Sequence, residues 1–127
     1  MPLTNAVPGW TLVMPQGSAQ IWNFVFTTLS TGAPYPIDGA TWEYSVRDTP
    51  GDSGDPLFSL TTSGTSAGVL TVTATSSLSQ VQMDLYPAAT QGLTPGTYFH
   101  ALWADPSTTG AYAWFVGQLQ IQDVAGP

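Results

Sequence analysis

Residues 40–48 read Ala-Thr-Trp-Glu-Tyr-Ser-Val-Arg-Asp, and this stretch decides the fold class. Alanine, tryptophan, tyrosine and valine alternate there with threonine, glutamate, serine and arginine. A period of two places the two sets on opposite faces of a β-strand. We therefore predict a half-buried strand whose face with Trp42, Tyr44 and Val46 points into a core.

The same period recurs twice further along the chain. Residues 69–75 and 80–85 each place apolar side chains on one face. The expected core residues are Trp42, Tyr44, Leu70, Val72, Val81 and Met83. Further strands are expected over residues 9–14, 19–28, 57–61, 98–104 and 112–122, with a short helical turn over residues 87–92. Residues 19–28 are apolar on both faces, which predicts a central or covered strand.

Turn-forming residues separate these stretches. The chain of 127 residues contains 13 glycines and 11 prolines, spread along its length, and no amphipathic helical pattern. Short strands at this spacing predict an all-β fold, an antiparallel Ig-like β-sandwich of about eight strands. We expect a single domain over residues 1–127 with short terminal tails.

A second local motif supports the immunoglobulin-like arrangement. Residues 93–98 read Leu-Thr-Pro-Gly-Thr-Tyr at the start of a predicted strand. A tyrosine in this position of an Ig-like sandwich turns its hydroxyl back onto the preceding backbone, which is the tyrosine corner. Tyr98 is the predicted corner residue, and a Pro-Gly turn before an ordinary strand tyrosine is the alternative.

Composition excludes several classes of function. Eight acidic residues against one arginine, Arg47, and no lysine give a net charge of −7. Nucleic-acid binding needs many cationic side chains, and so does binding to anionic membranes. The chain has no cysteine and one histidine, His100, so we expect no metal site, no cofactor and no enzymatic activity.

Three aspartates lie in one turn-rich loop. Asp48, Asp52 and Asp55 are close in sequence among glycines. Aspartates in such a loop cap backbone N–H groups, and carboxylates on a flexible loop can also bind calcium. The spacing does not match an EF-hand, and both interpretations stay open.

We predict structural roles for the single histidine and the single arginine. His100 is expected to be a half-buried sandwich residue or a hydrogen-bond donor at an interface. Arg47 is expected to form a surface ion pair that contributes little stability, and a structural pair with Asp84 or Asp105 across the sheet is the alternative.

The aromatic residues are the strongest candidates for a binding surface. Five tryptophans are many for this length, and in residues 98–104 and 112–122 both faces carry bulky side chains. Phe99, Trp103 and Trp114 are therefore predicted interface residues. Three uses remain open for these side chains: the core of the sandwich, a protein interface, or a platform for carbohydrate.

Four stretches carry a resemblance to a known family. They are residues 38–48 (DGATWEYSVRD), 55–58 (DPLF), 93–103 (LTPGTYFHALW) and 116–124 (VGQLQIQDV). In these the chain resembles small virion proteins of tailed bacteriophages, which carry an Ig-like module similar to the N-terminal domain of baseplate upper proteins. The resemblance extends over roughly residues 8–124.

The resemblance implies a non-enzymatic structural protein of the virion. Modules of this kind decorate capsids or belong to tails and baseplates. No second domain is expected after the module, which favours a capsid decoration or minor capsid protein on the outer surface of the head, made in the host cytoplasm. The implied partners are the major capsid protein or another virion protein, and monomer and trimer are the alternatives for its oligomeric state. A tail or baseplate component and a carbohydrate-binding adhesion module are the alternative functions.

Overall fold

The computed structural model describes residues 7–37, 39–49, 55–105 and 112–123. Eight strands and one short helix follow one another in these residues. They are β1 (Val7–Pro15), β2 (Gln20–Val25), β3 (Trp42–Arg47), β4 (Phe58–Thr61), β5 (Gly68–Ala74), β6 (Ser79–Leu85), α1 (Ala88–Gln91), β7 (Gly96–Ala104) and β8 (Tyr112–Gln122). The prediction of an all-β sandwich is confirmed.

The strands form two sheets that pack face to face. The larger sheet has the order β1-β8-β7-β3-β4 and the smaller has the order β2-β6-β5. In an immunoglobulin sandwich, strands B, E and D share one sheet while C′, C, F and G share the other. Strands β2 to β8 reproduce this order if β3 is C, β4 is C′, β7 is F and β8 is G.

One strand pair departs from the antiparallel prediction. β1 lies parallel to β8, with Thr11 beside Gln118 and Met14 beside Ile121, whereas the other named strand pairs are antiparallel. A tight hairpin forces two strands to run in opposite directions. The first and last strands share no hairpin, so nothing local fixes their relative direction.

Strand β2 lies at an edge, so the prediction of a central strand was wrong. Its only named neighbour is β6 among the described strands. Phe24 is buried on the inner face, but Ile21 is 58% exposed and Val25 is 55% exposed on the outer face. The apolar side chains on the outer face of β2 therefore lie at the surface of this chain.

The core lies between the two sheets. All six predicted core residues contribute to it: five are buried, and Val72 is half-buried against the others. At one end of the core, aromatic rings pack together, with ring centroids 6.2 Å apart for Trp42 and Trp114 and 4.7 Å apart for Phe26 and Trp114. These contacts fix the separation of the sheets and leave the outer faces as the available surfaces.

A glycine allows the close approach of β5 to β6. Gly68 has a φ of +151°, and a Cβ atom at this position would collide with the backbone carbonyl oxygen of Asp84. Since Gly68 pairs with Leu85 in the first register position of the two strands, any side chain there would push them apart.

Candidate functional site

The outer face of the larger sheet carries an apolar surface. Ala101 on β7 lies beside Val116 on β8, and Phe99 and Trp103 lie two residues to either side of Ala101 on the same face. Val116 is 43% exposed, and the other three side chains are half-buried. We call these four residues, Phe99, Ala101, Trp103 and Val116, the outer patch.

Two opposite charges flank the outer patch on β3. Glu43 is the register partner of Trp103, and Arg47 is the register partner of Phe99. Midway between them is Ser45, which is only 4% exposed although it lies on the outer face. Because β3 has a strand on each side, Ser45 is enclosed by its neighbours.

The rest of this face is uncharged and mainly polar, with one further exposed apolar side chain, Val13 on β1, which is 47% exposed. Gln118 and Gln120 on β8 are half-buried, and Thr11 on β1 and Thr97 on β7 are exposed beside them. An apolar centre with a polar rim is the arrangement of a typical protein interface.

Trp114 does not belong to this surface. Leu102 pairs with Phe115 and Trp103 pairs with Ala113, so Trp114 is an extra residue on β8, a β-bulge. The bulge reverses the alternation of the strand and turns Trp114 into the core, where it is 6% exposed. Of the three predicted interface residues, Phe99 and Trp103 are therefore on the outer face, and Trp114 is unavailable to a partner.

Tyr98 forms the hydrogen bond expected of a tyrosine corner. Its hydroxyl donates to the backbone carbonyl of Thr94, four residues earlier, over 2.6 Å. Tyr98 lies near the start of β7 and its ring is buried, so the bond ties the connection from α1 to the sheet.

His100 is occupied by a hydrogen bond in the core. Its Nδ1 atom lies 2.8 Å from the hydroxyl of Tyr44, and the two rings meet edge to face with centroids 5.5 Å apart. Burial raises the pKa of the Tyr44 hydroxyl far above its usual value of about 10, so the hydroxyl stays protonated. The ring of the only histidine therefore contributes to packing beneath the sheet surface.

The aspartates of the turn-rich loop are only partly described. Asp48 and Asp55 are exposed, and Asp52 lies outside the described residues. Among the residues that the structure describes, no group of three histidine, aspartate or glutamate side chains could hold a metal ion.

The topology places the two carboxylates suggested as partners of Arg47 away from it. Asp84 lies on the outer face of the smaller sheet, on the opposite side of the sandwich. Asp105 lies at the other end of β3, where its carboxylate accepts hydrogen bonds from the backbone N–H and the hydroxyl of Thr41. Both carboxylates therefore lie away from Arg47 in the sandwich, and the topology supports neither suggested pair.

The outer face of the smaller sheet is more polar. Around the apolar Ile21, Val25 and Val69 it presents asparagine, glutamine, threonine and aspartate side chains: Asn23, Thr71, Thr73, Gln80, Gln82 and Asp84. The outer patch on the larger sheet is therefore the stronger candidate for a binding surface.

Comparisons with known proteins add no family. Neither the protein-family models nor the curated proteins that were searched include a match to this chain. Within the described residues, no helix is both long and apolar enough to cross a membrane. The candidate site therefore depends on the geometry of this chain alone.

The charged flank of the outer patch was not recognised in the sequence as part of a site. Glu43 and Arg47 are four residues apart in an alternating strand, which already places them on one face. What the sequence could not give is that β7 lies beside β3 and brings Phe99 and Trp103 next to them.

Proposed function

We propose that this chain is a non-enzymatic structural protein of a bacteriophage virion, a capsid decoration protein that binds the outside of the head. The observation that carries the proposal is the outer patch, an apolar centre flanked by Glu43 and Arg47 and bordered by neutral polar side chains. The resemblance of residues 8–124 to small virion proteins supplies the virion as the setting. The place of His100 in the core also favours a structural role.

The charge of the chain determines how such a protein attaches. Among the described residues the outer patch has only Glu43 and Arg47 as charged register partners, so attachment through it depends mainly on apolar contact and neutral hydrogen bonds. Screening by salt weakens interactions between exposed charges far more than it weakens apolar contacts. Attachment should therefore change little with ionic strength, and added interface area would stabilise the shell against internal pressure.

The test is binding of the purified protein to particles that lack it. We expect full occupancy at low and at high salt for the wild type, and reduced occupancy for Trp103→Ala. Truncating a central aromatic residue costs roughly 2 kcal/mol, or about 30-fold in affinity. Val25→Ala, on the other sheet, is the matched control and should bind like the wild type. Occupancy that collapses with salt while Trp103→Ala binds normally would contradict the proposal.

Copy number separates head from tail. A decoration protein is present in hundreds of copies per virion, in proportion to the capsid protein, whereas a tail or baseplate component is present in few. Quantification of the chain in purified virions, with and without tails, therefore decides between these locations.

A carbohydrate-binding module is the second candidate. The observation that favours it is the pair of half-buried rings, Phe99 and Trp103, with glutamine and glutamate side chains beside them. A glycan-binding screen tests this function, and binding that Trp103→Ala abolishes would support it over the capsid.

A further inference from the structure

We infer that the outer patch binds a second copy of this chain, so that the protein forms a two-fold symmetric dimer through its larger sheet. This inference rests on the proposed function in taking the outer patch as a protein interface. It assigns that interface to a second copy of the chain, so that the dimer would meet the shell through its other faces. We identify the partner from the charged and aromatic side chains of this face, which lie in matching positions on either side of its centre.

The centre is a row of small or aliphatic side chains across four strands. Ser45 pairs with Ser59 on one side and with Ala101 on the other, and Ala101 pairs with Val116. Two sheets related by a two-fold axis along this row would lie face to face, with each residue of the row near its own counterpart. Small side chains at the row let the sheets approach to about 10 Å, the usual distance between stacked sheets.

The rows on either side of the centre are complementary to each other. One row contains Arg47 and Phe99, and the other contains Glu43 and Trp103. The two-fold rotation places the row with Arg47 and Phe99 of one copy over the row with Glu43 and Trp103 of its partner, and the reverse. Each arginine then faces a glutamate of the partner, and each phenylalanine faces a tryptophan. Every contact occurs twice, as an isologous interface requires.

The distances allow these contacts. Glu43 and Arg47 each lie two residues from Ser45, or about 7 Å along the strand. Aligned sheets are rotated by about 30° relative to each other, which displaces a position at this distance by about 4 Å. An arginine side chain can accommodate such a displacement. Its guanidinium has five N–H donors, so it can bind a carboxylate of the partner in addition to the interaction it makes in its own chain.

The charges of this chain favour a second copy as the partner of this face. The chain has eight acidic side chains and one basic one, so most faces of two copies repel each other. The face of the larger sheet contains the only arginine, and the arrangement described above aligns it with a carboxylate. A second copy is therefore matched to this face in both charge and shape.

The experiment is sedimentation analysis of the free protein over a range from 1 µM to several hundred µM. We expect the mass to rise with concentration to twice the 13.4 kDa of one chain. Glu43→Arg places two arginines opposite each other and Arg47→Glu places two glutamates opposite each other, so each should weaken dimerisation at least tenfold. The double variant Glu43→Arg/Arg47→Glu restores both pairs and should dimerise like the wild type.

Asp84→Arg is the matched control for these variants. It makes the same change of charge as Glu43→Arg on the opposite face of the sandwich and should leave dimerisation no weaker than in the wild type. Circular dichroism and thermal melting of each variant verify that it is folded. A wild type that stays monomeric or forms trimers overturns the inference, as does a double variant that is folded but does not recover dimerisation.

The particle-binding assay separates this inference from the proposed function. If the free protein is monomeric and Trp103→Ala still lowers occupancy, the patch contacts the shell directly, so the dimer is wrong and the proposed function stands. If the protein dimerises but does not bind particles, the dimer stands and the proposed function is wrong. If both occur, loss of occupancy in Trp103→Ala reflects loss of bivalent attachment.

Discussion

Replacement of Tyr44 by phenylalanine tests the buried polar pair beneath the sheet. The Tyr44 hydroxyl is fully buried and lies 2.8 Å from Nδ1 of His100. Removal of the hydroxyl leaves a buried imidazole nitrogen without this partner, which costs about 1–3 kcal/mol. An average protein of 127 residues has an unfolding entropy of about 270 cal/mol/K, so a cost of about 2 kcal/mol lowers the melting temperature by about 7 °C.

The assay is chemical and thermal unfolding followed by tryptophan fluorescence, with two companion variants. Tyr86→Phe is the control, because Tyr86 is 40% exposed, and its melting temperature should match that of the wild type. His100→Leu completes a double-mutant cycle with Tyr44→Phe. Since the hydrogen bond needs both groups, the double variant should lose less stability than the sum of the two single variants.

Two results would refute this reasoning. A melting temperature for Tyr44→Phe within 1 °C of the wild type would mean that the hydroxyl contributes no net stability. Additive effects of Tyr44→Phe and His100→Leu would mean that the two side chains are not coupled in the folded protein.

Three further predictions concern other features of the fold. Tyr98→Phe removes the 2.6 Å hydrogen bond to the Thr94 carbonyl. The loss should cost about 1 kcal/mol of stability, or about 4 °C in melting temperature, because Thr94 is exposed and water can replace the lost donor. An unchanged denaturation midpoint would contradict the tyrosine corner. Because the pKa of Tyr44 is raised by folding, the unfolded chain releases the hydroxyl proton near pH 10 while the folded chain retains it. This group should therefore leave stability unchanged below pH 10 and lower it by about 1.4 kcal/mol per pH unit above pH 10. That contribution should be absent in Tyr44→Phe when urea midpoints are measured from pH 9 to pH 11. Gly68→Ala should destabilise the fold by more than about 2 kcal/mol, because the added Cβ collides with the backbone of β6, whereas Gly92→Ala has open space around it and should not destabilise the fold. Equal urea midpoints for the two alanine variants would contradict this prediction.

The regular strands were predictable because their alternation is uninterrupted. In β3 and β6 every second side chain is apolar, so Trp42 and Met83 could be assigned to the core from the sequence, and both are buried. The turn before Tyr98 was equally informative, since its Pro-Gly sequence and the following tyrosine are local features.

The candidate site was only half predictable, because it depends on features that span several strands. Trp114 was expected on the surface from simple alternation, and a single bulged residue placed it in the core. No glycine or proline at the bulge marks it in the sequence, and its position depends on how β7 pairs with β8. Exposure of Ile21 on β2 likewise follows from strand order, which alternation does not encode.

The parallel pairing of β1 with β8 has a mechanical consequence. β1 starts at Val7 beside Phe115, and β8 ends at Gln122 beside Pro15, so the two outer ends of this pair lie at opposite ends of the sheet. Tension applied to those ends would slide the strands past each other and load their cross-strand hydrogen bonds simultaneously. In an antiparallel hairpin such as β7 and β8, tension at the open ends would break the bonds one after another. Strands β1 and β8 thus form a shear clamp that resists pulling along the sheet.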